Sequence, residues 1–466
     1  MLNTENIKFG TDGWRGIIAK DFTFENVKIV SQGIADYFNS IKKINKDIII
    51  GYDLRFLSKK YAGIISEVIS GNGFTAYLSK NPVSTPVVSF NVVNKKALGG
   101  IMVTASHNPP HYNGIKVKSA NGAVISPEET KKIESFLYKF SVLQNTYSIR
   151  FISLENDYFK KLISFVDMKS INKSKFKVVI DPMFGSSQGY LLNILSKSKL
   201  ELLPIHHYKD ALFGGIRPEP LEHNLIDLKK EVLKNNADVG LATDGDGDRI
   251  AIIDDTGRFL SAQHIIPLIM IHLLENKKWS GGVVKTNATT SAVEIIAKDY
   301  GLKLYQTPVG FKYIADLMLK EDILIGGEES GGIGVKNYIP ERDGILIGLL
   351  ILEMMAQTGK KVSALLLEIE KKYGKFCYDR IDIKYNSEKK QKIFNFLNTV
   401  TIDKISGHSV QEITRYDGTK FIMKDLSWLL IRASGTEPIV RIYAEANSTK
   451  KVKDYLKWGT RSVLDI

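Results

Sequence analysis

The sequence predicts an α/β protein in which three successive α/β units precede a smaller α+β unit. At 466 residues the chain is too long for one hydrophobic core, so its length predicts several domains. Strand-like and helix-like stretches alternate through residues 1–150, 151–255 and 256–370, which favours mostly parallel sheets. Residues 371–466 carry consecutive strand-like runs instead, which indicates a different final unit.

The first unit contains both helix-like and strand-like patterns. Apolar side chains at helical spacing predict a helix over residues 24–40, and a second helix is predicted over 55–70. The apolar runs 47–53 and 97–104 predict strands. Ser126, followed by proline and two glutamates, predicts the start of another helix, because serine caps helix N-termini and proline suits the first turn.

The second and third units repeat this alternation. Their predicted strands cover residues 176–181, 238–243, 250–253, 282–286 and 323–325. Their predicted helices cover residues 190–195, 221–235, 265–275 and 291–300. The apolar run 345–352 is far shorter than the ~20 residues of a membrane span, so it predicts a buried helix.

The final unit is predicted to be α+β, with strands joined by tight turns. Asp417-Gly418 is typical of a hairpin turn. The predicted strands cover residues 378–385, 411–416, 419–423 and 428–432, and the predicted helices cover 387–399 and 450–458.

Composition and charge restrict the function classes. The single cysteine, Cys377, excludes an intramolecular disulfide, and the first residues lack a signal-peptide pattern, so we expect a cytoplasmic protein without a membrane anchor. The net charge of +13 is spread along the chain and accompanies no base-reading motif, so we do not expect a nucleic-acid partner. A positive surface would attract an anionic substrate.

The stretch TASHNPP, residues 104–110, presents a serine on a stiff loop. It follows a predicted strand, and its two prolines restrict the backbone around Ser106 and His107. A serine hydroxyl becomes a nucleophile only when a base or a positive field activates it. His107 and Lys116 are the nearby candidates for that role.

The stretch TDGDGDR, residues 243–249, predicts a metal site. Asp244, Asp246 and Asp248 alternate with glycines, which lets the backbone bring three carboxylates to one point. Carboxylates this close repel one another unless a cation lies among them, and hard oxygen ligands suit Mg²⁺. An EF-hand is excluded, because Arg249 and Asp255 stand where its glycine and glutamate are required.

Two further loops carry recognition chemistry. In GGEESGG, residues 326–332, the acceptors Glu328, Glu329 and Ser330 suit the hydroxyls of a sugar, although a helix N-cap is an alternative interpretation. RASGTEP, residues 432–438, with a following arginine, suits a phosphate, although a plain hairpin loop is the alternative. The phosphate-binding candidates are Arg432, Ser434, Gly435, Thr436 and Arg441.

Together with FGTDGWRG at residues 9–16, these four stretches resemble the α-D-phosphohexomutase superfamily, which includes phosphoglucomutase and phosphomannomutase. The motifs occur in family order and span residues 9–441. The resemblance implies three similar α/β domains with mixed, mostly parallel sheets. It also implies a smaller C-terminal α+β domain, with the four domains around a central cleft to which each contributes one loop.

The resemblance also implies a reaction: exchange of a phosphate between the 1- and 6-positions of a hexose through a bisphosphorylated sugar. Ser106 would carry a phosphate and serve as a metal ligand beside Mg²⁺, with Arg15, Lys116 and Arg249 assisting transfer. Glucose 1,6-bisphosphate is the expected activator. Lys116 or His107 would carry the proton, and a neutral lysine would need a lowered pKa.

Some positions depart from the family pattern and leave the sugar open. Gly332 stands where many bacterial members carry histidine, and Phe311 and Lys312 stand where some carry another, so Lys312 is expected to contact the sugar phosphate. Phosphoglucosamine mutases typically carry glutamine at the position of Glu329, so glucose or mannose phosphates are preferred.

Other interpretations of these motifs remain. A phosphoglucosamine mutase, a metal-dependent sugar phosphatase and a non-catalytic sugar-phosphate-binding paralogue are the alternatives. We expect a monomer or a homodimer whose partners are small hexose phosphates.

Overall fold

The computed structural model describes residues 7–10, 12–41, 44–433 and 438–466. Four sheets organise these residues, and the region built on each sheet is called a domain below, numbered in chain order. The first three sheets mix parallel and antiparallel strands and pack against helices, whereas the fourth is antiparallel throughout. The predicted fold class is confirmed.

The first domain contains a six-stranded sheet in the order β1-β5-β4-β2-β3-β6. Its strands are β1 (Trp14–Ile17), β2 (Asp47–Tyr52), β3 (Thr75–Ser79), β4 (Gly99–Val103), β5 (Tyr112–Lys118) and β6 (Ile149–Ile152). Its helices are α1 (Phe24–Asn39), α2 (Ser58–Gly71), α3 (Thr85–Asn94) and α4 (Pro127–Phe136). Ser126 caps α4 in a capping box with Glu129, as its sequence predicts.

The second domain contains a five-stranded sheet in the order β11-β10-β9-β7-β8. Its strands are β7 (Lys177–Asp181), β8 (Glu201–Pro204), β9 (Val239–Thr243), β10 (Ile250–Asp254) and β11 (Phe259–Leu260). Its helices are α5 (Glu155–Phe165), α6 (Met168–Lys173), α7 (Tyr190–Ile194) and α8 (Ile226–Lys234). The single helix predicted over 221–235 is wrong: a 3₁₀ turn at Glu222–Asn224 precedes α8, because the non-helical Leu225 is buried between them.

The third domain contains a four-stranded sheet in the order β13-β12-β14-β15. Its strands are β12 (Gly282–Thr286), β13 (Leu304–Thr307), β14 (Ile323–Gly327) and β15 (Ile333–Val335). Its helices are α9 (Ala262–Ile271), α10 (Ala292–Asp299), α11 (Phe311–Lys320), α12 (Gly344–Thr358) and α13 (Val362–Tyr373). A π-helical turn at His272–Asn276 continues α9.

The fourth domain contains an antiparallel sheet in the order β16-β21-β20-β19-β18-β17, covered by two helices. Its strands are β16 (Cys377–Lys384), β17 (Lys404–Ile405), β18 (His408–Thr414), β19 (Thr419–Met423), β20 (Trp428–Ala433) and β21 (Ile439–Ala446). Its helices are α14 (Lys390–Thr399) and α15 (Thr449–Leu464).

The apolar run 345–352 lies inside α12, which is buried between the second and third domains. Asp343 caps this helix, because its side chain accepts hydrogen bonds from the backbone N–H groups of Ile345 and Leu346. Within the described residues, no helix combines the length and the apolar character that crossing a membrane requires.

Each of the four motif loops connects two neighbouring antiparallel strands. The serine loop joins β4 to β5, the aspartate loop joins β9 to β10, and the glutamate loop joins β14 to β15. The fourth loop joins β20 to β21. The helix N-cap interpretation of the glutamate loop is therefore wrong.

Candidate active site

One arginine, Arg55, fixes the backbone of the serine loop. The guanidinium of Arg55 donates to the carbonyl oxygens of Ser106 and Asn108, both at 2.6 Å, and of Pro109 at 2.8 Å. Ser106 adopts a left-handed φ of 51° and its N–H donates to Thr104 Oγ1 at 2.9 Å. A non-glycine residue in this region is strained, and such strain persists only where the surroundings fix it, as Arg55 does here.

The side chain of Ser106 points at two of the predicted groups. Its Oγ donates to Asp244 Oδ2 at 3.0 Å and lies 3.3 Å from His107 Nδ1. The residue is only 1% exposed. The structure therefore brings the serine, the histidine and the metal loop together.

The aspartate loop gathers its three carboxylates as its spacing predicts. Ligand oxygens of Asp244, Asp246 and Asp248 lie within 4.8 Å of one another, and all three side chains are fully buried. Asp244 Oδ1 accepts from the N–H groups of Asp248 and Arg249, and Gly247 has a φ of 73° at the bend. Thr85 Oγ1, at the start of α3, donates to Asp246 Oδ2 at 2.5 Å.

These three carboxylates fit a divalent cation. Within the described residues, Asp246 Oδ1 and Asp248 Oδ1 are buried without a hydrogen-bond partner, which is costly unless another ligand satisfies them. Burial, together with the charges of Asp248 and Asp246, raises the pKa of Asp244 well above its usual range. A hard cation such as Mg²⁺ would supply both the missing partner and the missing charge.

Lys116 does not have the lowered pKa that a proton-accepting lysine requires. Its Nζ lies 2.8 Å from Asp246 Oδ2, 2.9 Å from Asp248 Oδ2 and 3.0 Å from Asp12 Oδ2. Burial alone would lower the pKa of Lys116, but these three carboxylates raise it well above its usual value. In this arrangement Lys116 is a fixed positive charge.

His107 has the opposite character. Burial, followed by the charges of Arg249, Arg15 and Arg217, lowers the pKa of His107 well below its usual value. Its imidazole is therefore neutral, with Nδ1 facing Ser106 Oγ. Of the two candidate proton carriers, the geometry favours His107.

The two predicted arginines approach the serine loop from different domains. Arg15 Nη1 donates to Asn108 Oδ1 at 2.7 Å, so it is tied to the serine loop itself. Arg249 Nη1 lies 3.6 Å from Glu219 Oε1, and its Nε lies 3.9 Å from Asp244 Oδ2. Both charges act on His107, next to Ser106, so the serine loop lies in a positive field that suits a phosphoryl group.

The glutamate loop lies against the aspartate loop. Gly332 forms an antiparallel bridge with Arg249, and Glu328 is buried 3.7 Å from Arg342 Nη1. Burial raises the pKa of Glu328 to about 7. Glu329 Oε2 accepts from Thr286 Oγ1 at 3.2 Å, and Ser330 is partly exposed.

Lys312 lies at the start of α11, where burial lowers its pKa and Glu128 of the first domain is its electrostatic partner. The sugar-phosphate contact assigned to Lys312 stays a prediction.

Arg342 fills the space beside Gly332. A Cβ atom at Gly332 would lie 2.3 Å from Arg342 Cδ, so a larger residue there would displace that arginine. Arg342 Nη2 lies 2.7 Å from Asp12 Oδ2 and 2.8 Å from Asp248 Oδ2, which joins the first three domains. Arg342 therefore occupies the space that a histidine side chain at position 332 would need.

The sequence interpretation missed Asp12, Arg55 and Arg342. Asp12 lies inside FGTDGWRG, and Arg342 lies in a charged triplet directly before the apolar run 345–352. Arg55 follows the strand β2 beside the buried Asp53. For Arg55 and Arg342 the available signal was a charged residue beside an apolar stretch: Arg55 follows one and Arg342 precedes one.

The fourth domain presents arginines on one face of its sheet. Arg432 on β20 pairs in register with Arg441 on β21, and Arg441 pairs with Asp382 on β16. Arg380, two residues before Asp382, shares that face, because side chains alternate along a strand. Arg432 Nε donates to Asp417 Oδ1 at 2.8 Å. The predicted phosphate-binding residues Ser434, Gly435 and Thr436 lie outside the described residues.

Four domain descriptions of one family match the chain in order. Phosphoglucomutase/phosphomannomutase alpha/beta/alpha domains I, II and III match residues 6–141, 156–257 and 261–373, and the C-terminal domain matches residues 388–457.

Individual relatives match nearly the whole chain. A phosphoglucomutase/phosphomannomutase of Thermococcus kodakarensis is 30% identical, covering 97% of each chain. A phosphoglucosamine/phosphogalactosamine mutase of Sulfurisphaera tokodaii is 32% identical, covering 94% of this chain and 95% of the other. A crystal structure from Thermus thermophilus, assigned as a phosphomannomutase, has a TM-score of 0.88 at 33% identity, covering 99% of both chains. The chain therefore belongs to the α-D-phosphohexomutase superfamily, whose members are isomerases that act by intramolecular phosphoryl transfer.

Proposed function

We propose that this protein interconverts hexose 1-phosphates and hexose 6-phosphates through a phosphoserine at Ser106. One observation carries the proposal: Ser106 Oγ lies 3.0 Å from Asp244 Oδ2 of the carboxylate cluster and 3.3 Å from a neutral histidine. Phosphoryl transfer is catalysed chiefly by positioning and by stabilisation of charge, and both are present around this oxygen.

Asp244, Asp246 and Asp248, with the group on Ser106, would hold Mg²⁺. The bound cation would polarise the phosphoryl group and offset its charge. Lys116 and Arg342 hold two of the neighbouring carboxylates in place, since each contacts Asp248 and Asp12. The positive charges of Lys116 and Arg342 offset the negative charges of the carboxylates, which allows the cluster to be buried.

The bond changes follow from this arrangement. A sugar hydroxyl oxygen forms a bond to phosphorus as the bond from phosphorus to Ser106 Oγ breaks. The hydroxyl proton ends on Ser106 Oγ, with His107 as its carrier. In the second half-reaction, after the bisphosphorylated sugar reorients, Ser106 Oγ forms a bond to the other phosphorus as the bond from that phosphorus to the sugar oxygen breaks. The serine proton passes through His107 to the sugar oxygen.

The substrate would span the cleft between two ends of the site. Its resting phosphate would bind Arg432, Ser434, Gly435, Thr436 and Arg441, and its hydroxyls would bind Glu328, Glu329 and Ser330. Burial lowers the pKa of Arg432, but Asp417, followed by the charges of Tyr443 and Glu329, raises it, so Glu329 acts electrostatically on the phosphate end of the site. Glucose 1,6-bisphosphate would restore the phosphate on Ser106 whenever the intermediate escapes.

Glucose or mannose phosphates are the proposed sugars, because Glu329 replaces the glutamine typical of phosphoglucosamine mutases. A second candidate is glucosamine phosphate. The relative from Sulfurisphaera tokodaii favours it, since that enzyme is named for amino sugars at 32% identity.

The test is conversion of glucose 1-phosphate to glucose 6-phosphate with Mg²⁺ and catalytic glucose 1,6-bisphosphate, beside Ser106→Ala. Free phosphate is followed in the same samples, and mannose and glucosamine 1-phosphates are compared. We expect isomerisation without phosphate release, abolished in the variant because the acceptor oxygen is gone. Phosphate release without isomerisation would overturn the proposal in favour of a phosphatase.

A further inference from the structure

The hairpin turn between β18 and β19 places one carboxylate between two domains. Asp417 Oδ1 accepts from Arg432 Nε at 2.8 Å, and Asp417 Oδ2 accepts from the N–H of Val309 at 2.7 Å. Val309 lies in the loop after β13 of the third domain. A single side chain thus joins the arginine of the phosphate site to a neighbouring domain.

The backbone of this turn is pressed against the strand that carries Arg432. Asp417 has a φ of 55° and Gly418 a φ of 100°. A Cβ atom at Gly418 would lie 2.8 Å from the carbonyl oxygen of Ile431 and 3.0 Å from Arg432 Cβ. Only glycine permits this approach, so the position of the Asp417 carboxylate relative to Arg432 is built into the turn.

Asn287 of the third domain contacts the residues on both sides of the turn. Asn287 Nδ2 donates to the carbonyl oxygen of Tyr416 at 2.6 Å, and the backbone carbonyl oxygen of Asn287 accepts from Lys420 Nζ at 2.9 Å. Gln306 Nε2 donates to Asn287 Oδ1 at 3.1 Å, which orients the amide. These contacts hold the residues on both sides of Asp417. The hydrogen bond from Val309 to Asp417 forms only when the two domains are docked, because the two residues belong to different domains.

A guanidinium is planar, so a fixed Nε sets the direction of its two terminal nitrogens. Phosphate recognition by arginine depends on that direction. The Asp417 carboxylate also favours the charged form of Arg432, whose pKa it raises against the effect of burial.

We propose that Asp417 is a positioning residue that orients Arg432 for phosphate binding while the fourth domain is docked on the third. The inference rests on the proposed phosphate-binding role of Arg432. Phosphate affinity at this end of the cleft is then tied to domain docking, and the substrate phosphate in turn stabilises the docked arrangement.

Four single variants, and the double variant of Asp417→Asn with Arg432→Ala, separate the orientation of Arg432 from the docking of the fourth domain. Asp417→Asn keeps one acceptor oxygen for Val309 and presents an NH₂ donor to the Nε–H donor of Arg432, so it breaks only the Arg432 contact. Asp417→Ala removes both contacts. Asn287→Ala is the matched control, because it removes a docking bond to Tyr416 and leaves the carboxylate on Arg432 intact. Arg432→Ala completes a double-mutant cycle with Asp417→Asn.

Binding of glucose 1-phosphate and of inorganic phosphate is measured by calorimetry, beside KM and kcat. We expect Asp417→Asn to weaken binding and raise KM about tenfold, the scale of one charge-assisted contact, with kcat changed less than about threefold. The same substitution should have no further effect in the Arg432→Ala background, because it acts through that arginine. Amide exchange at Val309 should stay slow in Asp417→Asn and become faster in Asp417→Ala and Asn287→Ala.

Two results would overturn the inference: wild-type affinity in both Asp417 variants, or additive losses in the cycle with Arg432→Ala. These results are distinct from failure of the proposed function, in which the unmodified protein would isomerise none of the sugar phosphates. If the unmodified protein is active and the cycle is additive, only the role of Asp417 is lost.

Discussion

At the scale of single residues, the site separates two kinds of basic group. Lys116 and Arg342 are buried among carboxylates and remain positively charged, whereas His107 lies among arginines and remains neutral. A basic group that already holds its proton cannot accept another, so only His107 of these three can act as the base. The difference in protonation state follows from the charges around each residue and not from the residue type alone.

Replacing His107 tests this division. His107→Gln keeps a polar side chain but cannot accept a proton, so we expect kcat to fall by about 10²-fold or more with little change in KM. His111→Gln is the matched control, because His111 is exposed in the same loop, and its kcat should be unchanged. A wild-type kcat in His107→Gln would show that another group carries the proton.

The pH profile gives the same test without a substitution. Because the pKa of His107 is lowered, its accepting form is the populated one at pH values below the ordinary histidine pKa of about 6.5. Protonation of His107 should therefore not lower kcat as the pH falls through that value, and a change in activity near pH 7 is assigned to Glu328, whose pKa is raised to about 7. A metal cation nearby would lower the pKa of His107 further and leave the sign unchanged.

At the scale of elements, the functional loops share one structural origin. Each connects two antiparallel neighbours at the end of a sheet, so its ends are close together and its backbone is short. Alternation of strands and helices predicts the parallel part of each sheet. It does not predict the antiparallel direction of β5, β10 and β15, because these strands follow a loop and not a helix.

The glutamate loop gives an element-scale prediction. Gly332→Ala places a methyl group 2.3 Å from Arg342 Cδ, and Arg342 is pinned by Asp12 and Asp248. We expect a loss of about 1–3 kcal/mol in the free energy of unfolding, measured by denaturant titration, together with reduced kcat/KM.

Gly63→Ala in α2 is the control, because nothing lies within 4 Å of its added Cβ atom, and it should stabilise by about 0.5–1 kcal/mol. A Gly332→Ala protein as stable and active as the unmodified chain would show that Arg342 is not fixed in this place.

At the scale of the whole molecule, the site exists only where the domains meet. Arg342 and Asp12 are 330 residues apart in the sequence, and Ser106 and Asp244 are 138 apart. The individual motifs are predictable because each carries local chemistry, such as alternating aspartates or a serine before prolines.

The pairs between motifs are not predictable in the same way. Asp12 with Arg342, Arg55 with the serine loop, and Asp417 with Val309 leave no periodic signal in the chain. The fold class and the aspartate loop could therefore be predicted from sequence, while the charge state of Lys116 depended on three carboxylates from two other segments.

The proposed function depends above all on Ser106 carrying the transferred phosphoryl group. This is measured as the intact mass of the protein after incubation with glucose 1,6-bisphosphate and Mg²⁺, followed by peptide mapping. We predict a gain of one phosphoryl group on the peptide that contains Ser106, its removal by excess glucose 6-phosphate, and no gain in Ser106→Ala. A protein that isomerises hexose phosphates while its phosphoryl group lies on another residue would refute the role of Ser106.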